Sequence, residues 1–312
     1  MGAGKKGPDR SLDFYAEPQT RVKLSTRRRL NLCVMGEGPP TVVLAAGLNG
    51  STGHWARVQP VIAQSALTVS FDKAGFGFSD PGPLPRSADA TVADLRTALE
   101  RIEAPRPYVL VGHSLGALEM RLFAFRHPDE VAGLVLVDPF SEEYSAEVFT
   151  HPAMRQWSRR DYADVRRVYL MAKTGKLLPG TPEYEARVGP PSRELSDRMN
   201  AAIVKNRTSP GYWRAYLSII RQMLGPDLAA MAQARRPLGD IPIIVLSATQ
   251  SSDAIRAQLG AAAAALSVKT HQGMAADSTR GVWRTVDCGH GIQWERPEVV
   301  IAAIEEVVGA AA

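Results

Sequence analysis

Eight short segments of the chain have the residue pattern of β-strands, and several of them are apolar throughout, with no polar alternation. The clearest is YVLV at 108–111, which combines an aromatic residue with aliphatic, mostly β-branched ones. Such a run is typical of a strand buried on both faces, as in a parallel sheet. The eight segments lie at 20–24, 29–35, 41–46, 67–72, 107–111, 132–138, 241–247 and 282–287.

Amphipathic stretches separate most of the later strand segments. They lie at 53–64, 89–103, 115–127, 252–266 and 297–309. This alternation of strand and helix predicts a doubly wound, mostly parallel eight-stranded α/β sheet with helices on both of its faces.

One long stretch departs from the alternation. Residues 140–237 contain no convincing strand, and roughly a hundred residues are far too many for a crossover loop. Helical patterns occur there at 153–173, 192–205 and 212–235, separated by the turn-like sequences LLPGTPEY and RTSPGYW. We therefore predict a core made of residues 1–139 and 238–312, with an inserted helical cap at 140–237.

The predicted cap carries several large apolar side chains that could line a pocket for an acyl or aromatic group. We expect most of them to pack the inserted helices onto the core instead. They are Trp157, Tyr162, Tyr169, Met171, Tyr212, Trp213, Tyr216 and Met223.

Charge and composition exclude several other classes of protein. The formal net charge is +5, but the 37 Lys and Arg residues are scattered, so we expect a solvated basic surface and no nucleic-acid partner. No run of about twenty apolar residues could span a membrane. The polar N-terminus lacks the apolar stretch of a signal peptide, which predicts a cytoplasmic location.

Cysteine and histidine spacing gives no sign of a disulfide framework or a metal site. Cys33 and Cys288 are far apart in the chain, and we expect both to be buried free thiols. The six histidines have no HExxH or CxxC companion, so we expect no metal.

A serine stands alone between two glycines where the strand at 107–111 gives way to a helix, in the sequence VGHSLGAL. Ser114 would occupy the turn, and Gly112 and Gly116 would let strand and helix approach closely enough to hold its side chain out of the sheet. A serine hydroxyl needs a base, an acid that orients the base, and donors for the developing oxyanion. The remaining chain offers a candidate for each.

The candidate base is His290, which has a glycine on each side and follows the last strand in CGHGIQW. Loops at the carboxyl ends of parallel strands are where open α/β sheets bind ligands. The candidate oxyanion donors are two backbone amides. One belongs to Leu48, in the glycine-rich loop LAAGLNG, and the other to Leu115, directly after the candidate nucleophile.

The ordered segments LAAGLNG, FDKAGFGFSDPGP, VGHSLGALEMRLFAFRHPDEVAGLVLVDP and CGHGIQWERPEVVIAAI together resemble the α/β-hydrolase superfamily over residues 20–310. The insertion at 140–237 falls where that family carries its cap. We expect FDKAGFGFSD to form a structural turn; it has no third glycine at the spacing of a dinucleotide site.

The acid is where the chain departs from the commoner family pattern. Many members place it after the seventh strand, but in IPIIVLSATQSSDAI the usual glycine is absent and Ser251 stands at that place. Asp253 comes two residues late. Other members place the acid after the sixth strand, where Asp138 precedes Pro139 in LVLVDPF. We favour Asp138 and keep Asp253 as the alternative.

The resemblance implies a serine hydrolase that needs no cofactor and acts on a small molecule. Ser114 would attack an acyl carbon, His290 would carry the proton, and water would release the acid product. Esters are the first expectation, with amides, lactones and carbon–carbon substrates open. The alternative from another class is a catalytically silent protein that binds a small molecule on the same fold.

Overall fold

The computed structural model describes residues 10–311, without the side chains of Ala153, Trp157 and Ala311. It contains an eight-stranded sheet. The strands are β1 (Thr20–Lys23), β2 (Arg29–Met35), β3 (Thr41–Ala45), β4 (Thr68–Phe71), β5 (Tyr108–His113), β6 (Val131–Val137), β7 (Ile243–Ala248) and β8 (Gly281–Val286).

The spatial order of the strands is β1-β2-β4-β3-β5-β6-β7-β8. The pairs β1–β2 and β2–β4 are antiparallel, and every later pair is parallel. The predicted fold class is therefore confirmed. Because β4 and β5 lie on opposite sides of β3, the chain reverses its winding direction there, and a crevice opens outside the carboxyl ends of β3 and β5.

The sheet is sandwiched between helices because its central strands are apolar on both sides. Every residue of β3, β5 and β7 is buried. The helices outside the insertion are α1 (Gln59–Ile62), α2 (Ala88–Arg101), α3 (Leu115–Arg126), α10 (Thr249–Leu259), α11 (Ala261–Ala275), α12 (Ile292–Glu295) and α13 (Pro297–Ala311). One face carries α2 and α3, and the other carries α1 and α13.

Two of the predicted core helices are different in the structure. The segment 53–64 forms a 3-10 turn at Thr52–Trp55 and then only the single turn of α1. Pro60 has no N–H and is accepted only in the first turn of a helix. The segment 252–266 is divided into α10 and α11 at Gly260, whose φ of +91° lies in the left-handed region that ends helices.

The insertion at 140–237 consists of six helices, and its residues form no strand in the described structure. The helices are α4 (Glu142–Val148), α5 (Pro152–Lys173), α6 (Pro182–Arg187), α7 (Asp197–Arg207), α8 (Pro210–Met223) and α9 (Pro226–Ala234). The single helix predicted at 212–235 is thus wrong, because Pro226 cannot continue α8 and instead begins α9. The short helices α4 and α6 lie outside the predicted segments.

The inserted helices have an apolar cluster of their own, and it reaches the core. Seven of the eight large apolar residues noted in the sequence belong to this cluster or pack against it; the eighth, Trp157, has a side chain outside the described part. From the core, Phe76 and Leu115 join the cluster, and Leu48 packs against it. The insertion therefore packs on residues next to the candidate nucleophile.

Over residues 10–311, no helix combines the length and the apolar character needed to cross a bilayer.

Candidate active site

Ser114 lies in the turn between β5 and α3 with a strained backbone. Its φ of +53° is in the region that favours glycine, and such strain persists only where the surrounding structure enforces it. Two hydrogen bonds to the end of β6 do so: Ser114 N–H donates to Val137 O, and Phe140 N–H donates to Ser114 O, each over 3.0 Å. The turn is therefore fixed by the neighbouring strand.

The glycines on either side of Ser114 are required by close backbone approaches. A Cβ atom added to Gly112 would lie 2.5 Å from Ala117 Cα, and one added to Gly116 would lie 2.3 Å from Ala45 O. Since these neighbours are backbone atoms, they cannot move aside as a flexible side chain would. The glycines thus allow α3 to start tightly against the ends of β3 and β5, with Ser114 at the crevice.

The structure brings Asp138 and His290 together. Oδ2 of Asp138 lies 2.6 Å from Nδ1 of His290, and the Asp138 side chain is 5% exposed against 56% for His290. Because an ionised carboxylate only accepts hydrogen bonds, Nδ1 carries a proton, and in the neutral ring Nε2 is therefore the nitrogen with the free electron pair. This is the tautomer that could accept a proton from a serine.

The Asp138 carboxylate is well supplied with donors. Oδ1 accepts from the N–H of Ala248 over 2.9 Å, and Oδ2 accepts from the Ser251 hydroxyl over 2.8 Å. Burial by itself would raise the pKa of this carboxyl, but the hydrogen bonds from His290, Ala248 and Ser251 outweigh it and hold the pKa below its usual value. Asp138 is therefore ionised at neutral pH.

The alternative acid is elsewhere. Asp253 is exposed on α10, and in the described structure it makes no hydrogen bond or ion pair. Ser251, which stands where the commoner family arrangement has its acid, instead donates to Asp138. The assignment of Asp138 as the acid stays a prediction, which the hydrogen bond between Asp138 and His290 supports.

A second histidine, His113, supports the His290 loop and was not singled out in the sequence. Its Nε2–H donates to the backbone carbonyl of His290 over 2.9 Å, and the two rings lie 4.6 Å apart between centroids. Burial, with a smaller contribution from His290, lowers the pKa of His113 to about 3. The ring is therefore neutral. In the sequence, the only feature that could have pointed to His113 is its position directly before Ser114.

The two amides expected to bind an oxyanion lie near Ser114. Gly47, which precedes Leu48, is so close that an added Cβ would lie 3.3 Å from Ser114 Cβ. Leu115 begins α3, so its N–H is one of the unpaired amides of a helix N-terminus. Neither the Leu48 nor the Leu115 amide donates a hydrogen bond to the described chain. Their function as oxyanion donors stays a prediction.

Ser114, Asp138 and His290 share the wall of one cavity of about 240 Å³. Helix α4 with its C-terminal cap residue Phe149, and helix α5, contribute Tyr144, Val148, Phe149 and Met154 to the same wall, and no Lys or Arg of the described chain is part of it. The Ser114 hydroxyl and Nε2 of His290 are not hydrogen bonded to each other in the described structure. Such contacts commonly tighten only when substrate is bound.

The segment FDKAGFGFSD forms a turn that supports the loop after β3. The buried Asp72 carboxylate accepts hydrogen bonds from the backbone N–H of Thr52 and of Phe78 and from the Asn31 amide.

Among residues 10–311, no cluster of three or more His, Cys, Asp or Glu side chains has the arrangement of a metal site. The described Cys33 and Cys288 are both buried and free.

Comparison with known proteins agrees with this architecture. A family model described as alpha/beta hydrolase fold matches residues 40–297. Since the match covers most of the chain and includes the turn at Ser114 and the His290 loop, the protein belongs to the α/β-hydrolase family.

Individual relatives match more locally. The chain is 41% identical over 103 residues to the "Putative carbamate hydrolase RutD" of Klebsiella pneumoniae (strain 342), which is 32% of this chain and 38% of that protein. It is 32% identical over 104 residues to the "Uncharacterized protein YqjL" of Bacillus subtilis, which is 33% of this chain and 41% of the relative. The chain therefore spans about two-fifths of the length of these curated relatives.

A solved structure matches over nearly its whole length. It is titled "Structure of a putative epoxide hydrolase from Pseudomonas aeruginosa" and superposes with a TM-score of 0.70 at 18% identity, covering 94% of this chain and 97% of that one. At this identity the likeness establishes the shared fold alone.

The buried neutral His113 predicts a specific pH dependence of stability. Because the unfolded chain takes up a proton near pH 6.5 and folded His113 does so only near pH 3, the free energy of unfolding decreases as the pH falls through this interval. His113→Gln removes the contribution and should flatten the slope by up to about 1.4 kcal/mol per pH unit. Urea unfolding of both proteins between about pH 4 and 7 measures it; parallel pH curves would contradict the assignment.

Proposed function

We propose that this protein is a serine hydrolase that cleaves a carboxylic ester, or a related acyl substrate, through an acyl-enzyme intermediate. The observation that carries the proposal is the 2.6 Å contact between Nδ1 of His290 and buried Asp138, beside the strained Ser114 in one cavity. This arrangement supplies the three side chains that nucleophilic acyl transfer requires.

In the acylation half of the reaction, Ser114 Oγ attacks the carbonyl carbon of the substrate while His290 Nε2 accepts the hydroxyl proton. The carbonyl oxygen becomes negatively charged and receives hydrogen bonds from the amides of Leu48 and Leu115. His290 then gives its proton to the leaving alcohol, and the carbon–oxygen bond to that alcohol breaks. Asp138 stabilises the transient imidazolium without taking the proton.

In the deacylation half, a water molecule takes the place of the alcohol. His290 Nε2 removes a proton from the water, the resulting oxygen attacks the acyl carbon, and the same two amides receive the charge again. The bond to Ser114 Oγ breaks, and the serine regains its proton from His290. The acid product leaves.

The cavity favours an uncharged substrate of modest size. Its wall combines apolar side chains such as Phe149 and Met154 with hydroxyl groups, and it offers no Lys or Arg of the described chain to pair with an anion. The neighbouring Asp138 carboxylate also repels negative charge. We therefore expect neutral acyl esters to be preferred over anionic ones.

The similarity to a protein named as a carbamate hydrolase favours carbamates as a second substrate class. A carbamate presents the same kind of acyl carbon to Ser114, so the steps above apply unchanged. Epoxide hydrolysis is less compatible with this chain, because enzymes of this fold that open epoxides use a carboxylate at the place of Ser114.

We also propose that the insertion at 140–237 is a cap that limits access to Ser114. Three facts support this: α4 and α5 wall the cavity, the insertion's apolar cluster includes Leu115, and Leu48 packs against that cluster. Movement of the cap would thus both open the cavity and disturb the residues next to the oxyanion amides.

The first test of the proposed function is covalent labelling. A fluorophosphonate should modify Ser114 and no other serine, because Ser114 lies at the strained turn in the cavity whose wall also carries the His290–Asp138 pair. Mass spectrometry of wild type, Ser114→Ala and the control Ser51→Ala identifies the modified residue. Labelling that persists in Ser114→Ala would contradict the assignment. If the wild type is not labelled and does not turn over p-nitrophenyl esters, the result favours a silent binding protein.

The second test distinguishes the two candidate acids. Asp138→Asn should lower kcat by up to about ten-thousandfold, because the amide no longer holds His290 in the tautomer that accepts a proton. Asp253→Asn is the matched control and should leave kcat little changed, since its side chain is exposed on α10. Circular dichroism checks that both variants are folded; the reverse pattern of losses would assign the acid to Asp253.

The third test concerns the cap. Phe149→Ala enlarges the cavity, so kcat/KM for longer p-nitrophenyl acyl esters should rise relative to the acetate, by about tenfold at the best chain length. Leu178→Ala, a control at an exposed position of the insertion (57% exposed), should keep the wild-type profile. An unchanged chain-length profile in Phe149→Ala would mean that α4 does not border the acyl site.

A further inference from the structure

Lys73 is a buried cation that has no role in the reaction steps proposed above. It follows β4 and its side chain is 2% exposed. Nζ donates to the backbone carbonyls of Ala46 and of Gly47, the second over 3.0 Å, and lies 3.2 Å from Oε2 of Glu119. The contacts with the two carbonyls are hydrogen bonds and the contact with Glu119 is an ion pair, so the ammonium group is held between the loop after β3 and helix α3.

The contact with Gly47 fixes a peptide unit of direct interest. The Gly47 carbonyl and the Leu48 N–H belong to the same planar, trans peptide, in which the two groups point in opposite directions. When Lys73 holds the carbonyl from inside the protein, the Leu48 N–H must point to the other side. A Cβ added to Gly47 would lie 3.3 Å from Ser114 Cβ, so this peptide adjoins the nucleophile.

Glu119 links the same cation to the other candidate oxyanion donor. It is one helical turn after Leu115 on α3, and its side chain is 2% exposed. The position of α3 relative to the loop is thereby fixed by a buried ion pair in addition to the close contact of Gly116 with Ala45 O. Lys73 therefore contacts both elements that carry the two amides.

We propose that Lys73 is a positioning residue that orients and polarises the Gly47–Leu48 peptide as an oxyanion donor, with Glu119 holding it in place. The inference rests on the proposed function, because it assigns a role in binding the negatively charged oxygen of acyl transfer. A cation that hydrogen bonds a peptide carbonyl draws electron density towards the oxygen and strengthens the N–H of that peptide as a donor. Its fixed position also removes the cost of reorienting the peptide during the reaction.

The test compares Lys73→Met with Lys73→Arg on a p-nitrophenyl ester and on a boronic acid that forms a tetrahedral adduct with serine. Lys73→Met should lower kcat by about tenfold to a hundredfold, less than the loss of an entire oxyanion donor. KM should change little, and the affinity for the boronic acid should weaken by a similar factor. Lys73→Arg, which keeps a cation and its donors, should recover most of both. Fluorophosphonate should still label Ser114 in each variant.

Arg86→Met is the matched control for loss of a buried ion pair. Arg86 is 3% exposed and pairs with Asp94 over 2.7 Å, but it contacts no carbonyl of the loop after β3. The Arg86→Met variant should lose thermal stability without the selective loss of kcat and boronic acid affinity. Glu119→Gln, which keeps the side-chain volume, serves if Lys73→Met does not fold, and should show a smaller loss in the same direction.

The outcomes separate this inference from the proposed function. A wild-type protein that neither turns over esters nor binds the boronic acid overturns both. An active wild type whose folded Lys73→Met or Glu119→Gln variant keeps full kcat and full boronic acid affinity overturns the role of Lys73 alone. Equal losses of kcat in Lys73→Met and Arg86→Met would also overturn it, because the effect would then be one of general stability.

Discussion

The site depends on keeping one carboxylate ionised in the interior. Asp138 is at the end of β6, 5% exposed, with φ of +40°, and it remains charged only because three donors converge on it. Each donor comes from a different place: α10, the end of β7 and the loop after β8. Losing any one donor would leave part of the cost of burying the charge uncompensated. The carboxylate therefore organises the loops that surround the cavity, and the position of His290 follows from it.

The strained turns at Ser114 and Asp138 support each other through the sheet. Three backbone N–H groups donate hydrogen bonds here: Ser114 to Val137 O, Phe140 to Ser114 O, and Asp138 to Leu246 O, the last over 2.7 Å. These bonds continue the parallel ladder of β5, β6 and β7 beyond the strand ends. Two left-handed, non-glycine residues would each cost about 1–3 kcal/mol, and the hydrogen bonds to the largely buried strands are what hold them. The insertion adds a further constraint by packing on Leu48 and Leu115.

The sequence predicted the fold well because burial on both faces leaves a continuous apolar run that few other structures share. It predicted the helices less well: Gly260 and Pro226 divided segments whose apolar spacing was continuous. At the site, the turn at Ser114 has a local signature, and the loop of His290 has glycines on both sides. Lys73 has none, because its partners lie 26 to 46 residues away and meet it only through the strand order. Periodicity cannot report such a contact; the topology must be known first.

If the proposed function is correct, the buried Asp138 carboxylate and the buried Lys73 ammonium group create an electric field across the site. Asp138 contacts His290 and Lys73 contacts the Gly47 carbonyl, so a fixed negative group adjoins the proposed base and a fixed positive group adjoins the proposed oxyanion peptide. As the serine proton moves to His290, positive charge develops beside the carboxylate and negative charge beside the peptide. Both fixed groups are almost fully buried and are little screened by salt. Glu119, 3.2 Å from Nζ, offsets part of the Lys73 charge, whereas Nζ itself donates to the Ala46 and Gly47 carbonyls of the loop. Because the positive end of the pair contacts the loop that carries the Leu48 amide, we expect its field to favour the charge separation that acyl transfer needs.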